Sequence, residues 1–175
     1  MHEAALRAHF SELRRSGGLP ATIDDLQMSD LAHLGWSGGP AHVQSVAEVL
    51  QRVPEEAEYL VVRTPSGQPV AKCGIDLERL EQGCAELFQL ATWRPLEGLG
   101  LATALISAGQ RRAAGRGVHT VRICVELDNT RARRLYEHLG YAWSHQEATG
   151  WDEIAPDGST VRYDTVVDVL VRGIA

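Results

Sequence analysis

The sequence is short of cysteine: Cys73, Cys84 and Cys124 are the three in 175 residues, and none sits in a Cys-x-x-Cys spacing. An odd count without that spacing excludes both a disulfide framework and a zinc knuckle. Each of the three falls in a stretch that reads as a strand, where a free thiol packs as a small core residue. Long apolar runs are also missing, so nothing approaches the length needed to span a bilayer. Residues 1–18 carry charges throughout and lack the apolar segment of a signal peptide, so a cytoplasmic protein without membrane contact is expected. Positive charge is scarce as well: Lys and Arg together number 17 against 23 Asp and Glu, a net charge of −6. An acidic surface argues against a nucleic-acid partner and is compatible with a cationic substrate. The seven histidines show no metal-ligand spacing, and no metal is expected. Internal repeats and low-complexity segments are absent.

What is present suits one globular domain. Apolar residues make up 44% and charged residues 23%, and 175 residues can close a single core but not two. Residues 1–18 read as an N-terminal helical extension, with Ala5, Leu6, Phe10 and Leu13 near helical period before Gly17-Gly18. Residues 19–175 form the domain proper. A short strand at 21–25, a brief helix capped by Ser29 or Asp30, and a helix over 42–53 come first. Strands follow at 58–63 and 69–77, joined by turn residues 64–68, then a strand at 83–92. A helix spans 101–114, a strand 118–125 and a helix 130–139. Two strands, 141–148 and 161–171, close the chain around Pro156-Asp157-Gly158. This order implies an α/β fold: a mixed, mostly antiparallel twisted sheet of six to seven strands with helices on both faces. The unit from 84 to 125 is expected to be a right-handed parallel crossover.

One segment carries chemistry. In Leu90-Ala-Thr-Trp-Arg-Pro-Leu-Glu-Gly-Leu-Gly-Leu-Ala102 a strand ends, a glycine-rich turn follows and a helix begins. The first amides of a helix have no intrahelical partner, and the helix end carries roughly half a positive charge. Glycine lets an anion approach those amides closely. A hydrogen bond to a charged group contributes about 1.5–3 kcal/mol, so a few converging amides hold a pyrophosphate without a lysine. The segment lacks the Gly-Lys-Ser/Thr of a triphosphate loop and the full dinucleotide fingerprint.

A second motif lies downstream. Asn129, Ala132 and Tyr136 share one face of a helix, with Leu135 and Leu139 beside them and Gly140-Tyr141 after them. With this motif in place, the chain resembles the GNAT superfamily of acetyl-CoA-dependent N-acetyltransferases. That family's pyrophosphate turn, Arg/Gln-x-x-Gly-x-Gly/Ala, is met by Glu97-Gly-Leu-Gly100-Leu-Ala102. Its Asn-x-x-Ala-x-x-x-Tyr followed by Gly-Phe/Tyr is met by Asn129, Ala132, Tyr136, Gly140 and Tyr141. The resemblance is carried by residues 85–141 and extends by element order over 25–171. The chain departs from the pattern at Glu97, where Arg or Gln is usual. That carboxylate must turn outward or pair with Arg94, Arg111 or another base.

The resemblance implies acetyl transfer from acetyl-CoA, as co-substrate, to a primary amine in a ternary complex. The cofactor-binding residues would be Leu90, Ala91, Thr92, Glu97, Gly98, Leu99, Gly100, Leu101, Ala102, Thr103, Asn129, Ala132 and Tyr136. An alkylammonium has a pKa near ~10.4 and must lose a proton before it attacks. Glu86, on the strand before the turn, is the candidate base, acting directly or through water. Glu126 is the alternative carboxylate. Tyr136 is the candidate acid for the leaving thiolate, and a backbone N–H near Leu90–Thr92 is the candidate donor to the thioester oxygen. Trp36, Trp93 and Trp151 are candidates to line the acceptor pocket. Arg111, Arg112, Arg131, Arg133 and Arg134 could reach phosphates. Edge strands near the C-terminus and the N-terminal helix would suit a homodimer. The competing reading is a module of the same fold that senses acyl-CoA without turning it over.

Overall fold

The computed structural model describes residues 21–53, 56–78, 83–154 and 157–174. The expected N-terminal extension, residues 1–18, lies outside them. Seven strands form one sheet: β1 (Thr22–Asp25), β2 (Ala57–Arg63), β3 (Pro69–Asp76), β4 (Cys84–Thr92), β5 (Thr120–Glu126), β6 (Ala142–Ile154) and β7 (Thr160–Gly173). The order across the sheet is β1-β2-β3-β4-β5-β7-β6. Every neighbouring pair is antiparallel except β4 with β5, which is the expected parallel crossover. The α/β mixed sheet with helices on both faces is therefore as the sequence implied.

Among the described residues, three α-helices cover the sheet: α1 (Pro40–Leu50), α2 (Leu101–Ala114) and α3 (Thr130–His138). The first starts two residues before the expected His42, because Pro40 at its first turn is already set to helical φ and has no N–H to satisfy. On one face, Leu101, Leu105, Ile106 and Ala113 of α2 and Tyr136 of α3 join Ile75, Leu87, Val121 and Ile123 in the larger core. Each fully buried Leu or Ile there contributes about 1.5–3 kcal/mol. Gly109 lets α2 lie close to the sheet, since a Cβ at this position would sit 2.8 Å from Leu87. On the other face, Val46 of α1 packs with Leu26, Leu34, Tyr59 and Val61 in a smaller core.

Two departures from regular pairing shape the molecule. First, β4 and β5 pair only over Cys84–Leu87 and Thr120–Ile123. Beyond that, β4 keeps its partner β3 and β5 keeps β7, so the two strands separate and a cleft opens between them. Second, β6 and β7 run past the rest of the sheet. Pairing of β7 with β5 stops at Val167, while Thr160–Val166 pair with β6 alone. The expected strands 141–148 and 161–171 are thus too short at the turn end. Residues 149–153 show no core alternation. Cross-strand contacts hold this ribbon instead, chiefly Trp151 on Tyr163 with ring centroids 4.8 Å apart.

Candidate functional site

The cleft between β4 and β5 has a volume of about 480 Å³ and is lined by Glu86–Leu90, Arg122–Glu126, Asn129 and Tyr136, with Glu147 and Thr149–Trp151 of the hairpin. Tyr136 is buried at 6% exposure. Its ring packs on Tyr141 at 6.2 Å. Burial pushes its phenol above the ordinary tyrosine range, so the hydroxyl is protonated at neutral pH. Leu90, Glu86 and Glu126 are brought together with it, as residues meeting around one cleft.

The glycine-rich turn has the backbone its residues demand. Gly98 and Gly100 take φ of 78° and 87°, values that favour glycine, and Gly100 is the residue from which α2 starts. A Cβ at either would meet nothing within 4 Å, so the space in front of the first amides of α2 is open. Leu99 and Leu101 anchor the turn in the core, while Ala102 and Thr103 are half-buried. Glu97 pairs with Arg131 in the first turn of α3, neither Arg94 nor Arg111 being its partner. This contact ties the turn to the mouth of α3. There Asn129 caps the helix, its side-chain oxygen accepting from the Ala132 N–H at 3.1 Å. Ala132 packs on the larger core. Of the other arginines, Arg112 is held by Asp25 and Glu58, and Arg133 by Glu137 and Asp168.

Glu86 is buried and does not stand alone. Its Oε2 forms an ion pair with Nε of Arg122 at 3.1 Å, and the Nη atoms of that guanidinium donate to Glu147 at 3.0 Å and to Sγ of Cys124 at 3.3 Å. Burial and the neighbouring Glu86 carboxylate push the Cys124 thiol up to about 11. Cys124 is only half-buried and lines the cleft, as β5 turns Arg122, Cys124 and Glu126 to the same side; the expectation of a core thiol holds for Cys73 alone. Glu126 accepts from the Tyr163 hydroxyl at 3.1 Å.

A wider groove of about 1110 Å³ lies between the start of α1 and the projecting hairpin, lined among others by His42, Ser45, Glu48, Gln89, Trp151, Asp152 and Glu153. Gln89 and Trp151 line both cavities, so cleft and groove meet there. Among the described residues, no lysine or arginine lines the groove. Of the three tryptophans expected at an acceptor pocket, Trp151 lines both cavities, whereas Trp36 and Trp93 pack against the two cores and line neither. Burial lowers the pKa of His42 to about 4, with the charge of Lys72 adding to the effect.

Several residues here escaped the reading of the sequence. Gln89 holds φ of 47° in the middle of β4, the only non-glycine residue with positive φ among those described. Its side chain accepts from Tyr59 at 2.5 Å and donates to Ser45 at 3.0 Å. Lys72 is fully buried in β3. The signal for Lys72 was available, as a charged residue inside an otherwise apolar strand. Nothing local marks Gln89 or Arg122.

Comparison with known proteins places this geometry. The profile described as "Acetyltransferase (GNAT) family" matches residues 26–141. The mycothiol acetyltransferase of Kineococcus radiotolerans is 42% identical over 88 residues, 50% of this chain and 27% of that protein. The mycothiol acetyltransferase of Stackebrandtia nassauensis is 38% identical over 61 residues, 35% of this chain and 20% of that protein. The matched stretch therefore spans about a quarter of these relatives' length. Among solved structures, the ribosomal-protein-S18-alanine N-acetyltransferase of Escherichia coli superposes with a TM-score of 0.66 at 22% identity, covering 89% of this chain and 94% of that one. A spermidine/spermine N-acetyltransferase of Vibrio cholerae gives 0.64 at 15%, covering 88% and 92%. These structural likenesses speak to the fold, and the profile to kinship: the chain belongs to the acetyltransferase (GNAT) family.

Proposed function

We propose that the protein transfers an acetyl group from acetyl-CoA to a primary amine, with the thioester in the β4–β5 cleft and the amine in the groove beside it. The observation that carries this reading is the meeting of the two cavities at Gln89 and Trp151, within reach of a cleft whose wall holds a buried tyrosine. The turn Glu97–Thr103 offers its amides to the pyrophosphate. With Arg131 holding Glu97, that carboxylate is neutralised in place.

The chemistry follows from the residues in the cleft. The amine nitrogen forms a bond to the thioester carbon, and negative charge gathers on the carbonyl oxygen. A backbone N–H of the irregular part of β4 donates to it. As the C–S bond breaks, Tyr136 gives its proton to the sulfur. The ammonium proton goes to a carboxylate or to water. Arg122 occupies Glu86, so Glu126, which has only a hydroxyl donor described on it, is the better placed acceptor. Trp151 with Glu48, Asp152 and Glu153 gives the groove an aromatic face and negative charge, which suit a cationic acceptor. Spermidine, named for one of the structural neighbours, is an amine acceptor to try here.

The test is calorimetric titration with acetyl-CoA beside S-acetylpantetheine, which has the acyl arm without the pyrophosphate. Release of CoA is then followed with spermidine, an alanine-led peptide and glucosamine. The expected result is tight binding of acetyl-CoA, binding of S-acetylpantetheine weaker by at least about a hundredfold, and turnover of one amine. Binding without turnover of any amine would favour the sensor, and no binding would overturn the reading.

A further inference from the structure

Lys72 is the only lysine in the chain, and the fold buries it completely. It stands in the middle of β3, opposite Val61. The contacts described for its Nζ are the Gln89 carbonyl oxygen, 3.0 Å away, and the Tyr59 ring, whose centroid is 5.0 Å away. Neither is a carboxylate. Burying an ammonium without a counter-charge is expensive, so what Lys72 holds gives the burial its meaning.

It holds the irregular peptide of β4. The β3–β4 register shifts between Lys72 and Gly74, which leaves Gln89 and Leu90 facing Cys73. Gln89 takes the left-handed φ that a side chain disfavours. A peptide unit is planar and trans, so the Gln89 C=O and the Leu90 N–H point in opposite directions. With the carbonyl drawn to Lys72, the Leu90 N–H is turned away from it. Pairing of β4 with β5 ends at Leu87, so this peptide lies beyond the parallel ladder, on the wall of the acyl cleft. Tyr59 and Ser45 grip the Gln89 side chain from β2 and α1.

We propose that Lys72 is a positioning residue for acetyl transfer: it holds the Gln89–Leu90 peptide so that the Leu90 N–H meets the thioester oxygen as negative charge develops there. The proposal rests on the acetyltransferase reading above. Lys72 touches neither substrate; it acts through one peptide unit. The hydrogen bond from Nζ, which the amine donates in either protonation state, also polarises that unit and strengthens the N–H at its other end.

Hydroxylamine is the acceptor for the test, since it is small and largely unprotonated at pH 7.5. It needs neither the acceptor groove nor a base, and the transition-state oxygen is isolated. CoA release is measured at saturating acetyl-CoA, above the uncatalysed background, for wild type, Lys72→Met and Lys72→Gln. For Lys72→Met the expected result is kcat lower by about tenfold to a hundredfold, with acetyl-CoA Kd and hydroxylamine KM within about threefold. Lys72→Gln, which keeps a donor, recovers part of the loss. A folded Lys72→Met with wild-type kcat, or a loss confined to Kd and KM, overturns the assignment while leaving acetyl transfer standing. A wild type that neither binds acetyl-CoA nor releases CoA overturns both. Because the chain has one lysine, ¹³Cε-lysine labelling gives one side-chain resonance, and wild type alone supplies a second reading should the variants not fold. That resonance is expected to shift further with acetyl-CoA than with CoA, which lacks the carbonyl. Equal shifts for the two ligands overturn the proposal.

Discussion

Replacing Lys72 by Met changes how stability depends on pH, and the size of the change follows from the burial of one ammonium. Burial takes the Lys72 pKa from the ordinary 10.5 down to about 7. The unfolded chain keeps this proton up to the ordinary value, while the folded protein releases it near neutrality. Between the two pH values the unfolded state binds more protons, so stability rises with pH. The cost of the charge is present in full below pH 7 and is relieved on the way to 10.5. Linkage gives a gain for wild type on the order of 2 kcal/mol from pH 7 to pH 9 from this residue. Met fills nearly the same volume without a charge, so the desolvation penalty of the buried ammonium, on the order of several kcal/mol for a single ion, is removed with it. Lys72→Met is therefore expected to exceed wild type at pH 7, and the gap to narrow by about 2 kcal/mol by pH 9. Burial also pushes the Cys73 thiol up to about 12 from its ordinary 9.0, which costs stability as the pH passes 9. Both proteins share that loss, and the difference between them removes it. The assay is urea unfolding followed by tryptophan fluorescence at pH 7, 8 and 9. A difference that stays constant with pH would refute the reasoning.

Four further variants have expected outcomes. Tyr136→Phe lowers kcat by about a hundredfold with little change in acetyl-CoA affinity, because the phenol is needed when the thiolate leaves; stopped-flow CoA release against calorimetry separates the two. Glu97→Gln leaves stability within about 1 kcal/mol, since its partner Arg131 is 70% exposed. The same change strengthens acetyl-CoA binding severalfold by removing a carboxylate beside the pyrophosphate and releasing Arg131, as titration at low salt would show. Glu126→Gln lowers kcat for a protonated amine by at least about tenfold at pH 7 and less at pH 9, where water takes the proton more readily. Trp151→Ala raises the acceptor KM by about tenfold without moving the acetyl-CoA Kd, which initial-rate kinetics resolve.

The parts of the site that rest on local backbone chemistry were legible in the sequence. The turn Gly98–Gly100, the helix 101–114 and the cap Asn129 each follow from glycine conformation, orphan amides and a short polar side chain acting over a few residues. The family motifs fixed Tyr136 in the same way, through a helical offset. What stayed hidden depends on contacts between distant segments. Lys72, Tyr59, Gln89 and Ser45 come from three strands and a helix; the burial of Lys72 is marked within its own strand, but nothing within any one segment foretells its bond to a bulge carbonyl. The Arg122 hold on Glu86 is equally non-local. The tryptophans show the limit of composition: Trp36, Trp93 and Trp151 all suited a pocket, but of these three the fold brings only Trp151 to a cavity.

The projecting end of the β6–β7 hairpin separates two duties that most sheets combine. Residues 149–154 and 160–166 pair with each other and leave the cores to other segments. Trp151 nonetheless stands at the junction of both cavities. The wall shared by the two cavities is thus built in part from side chains on which folding makes little demand. Substitution at Trp151 is therefore expected to reshape the groove at small cost in stability, whereas substitution at Tyr136 or Leu87 disturbs the larger core.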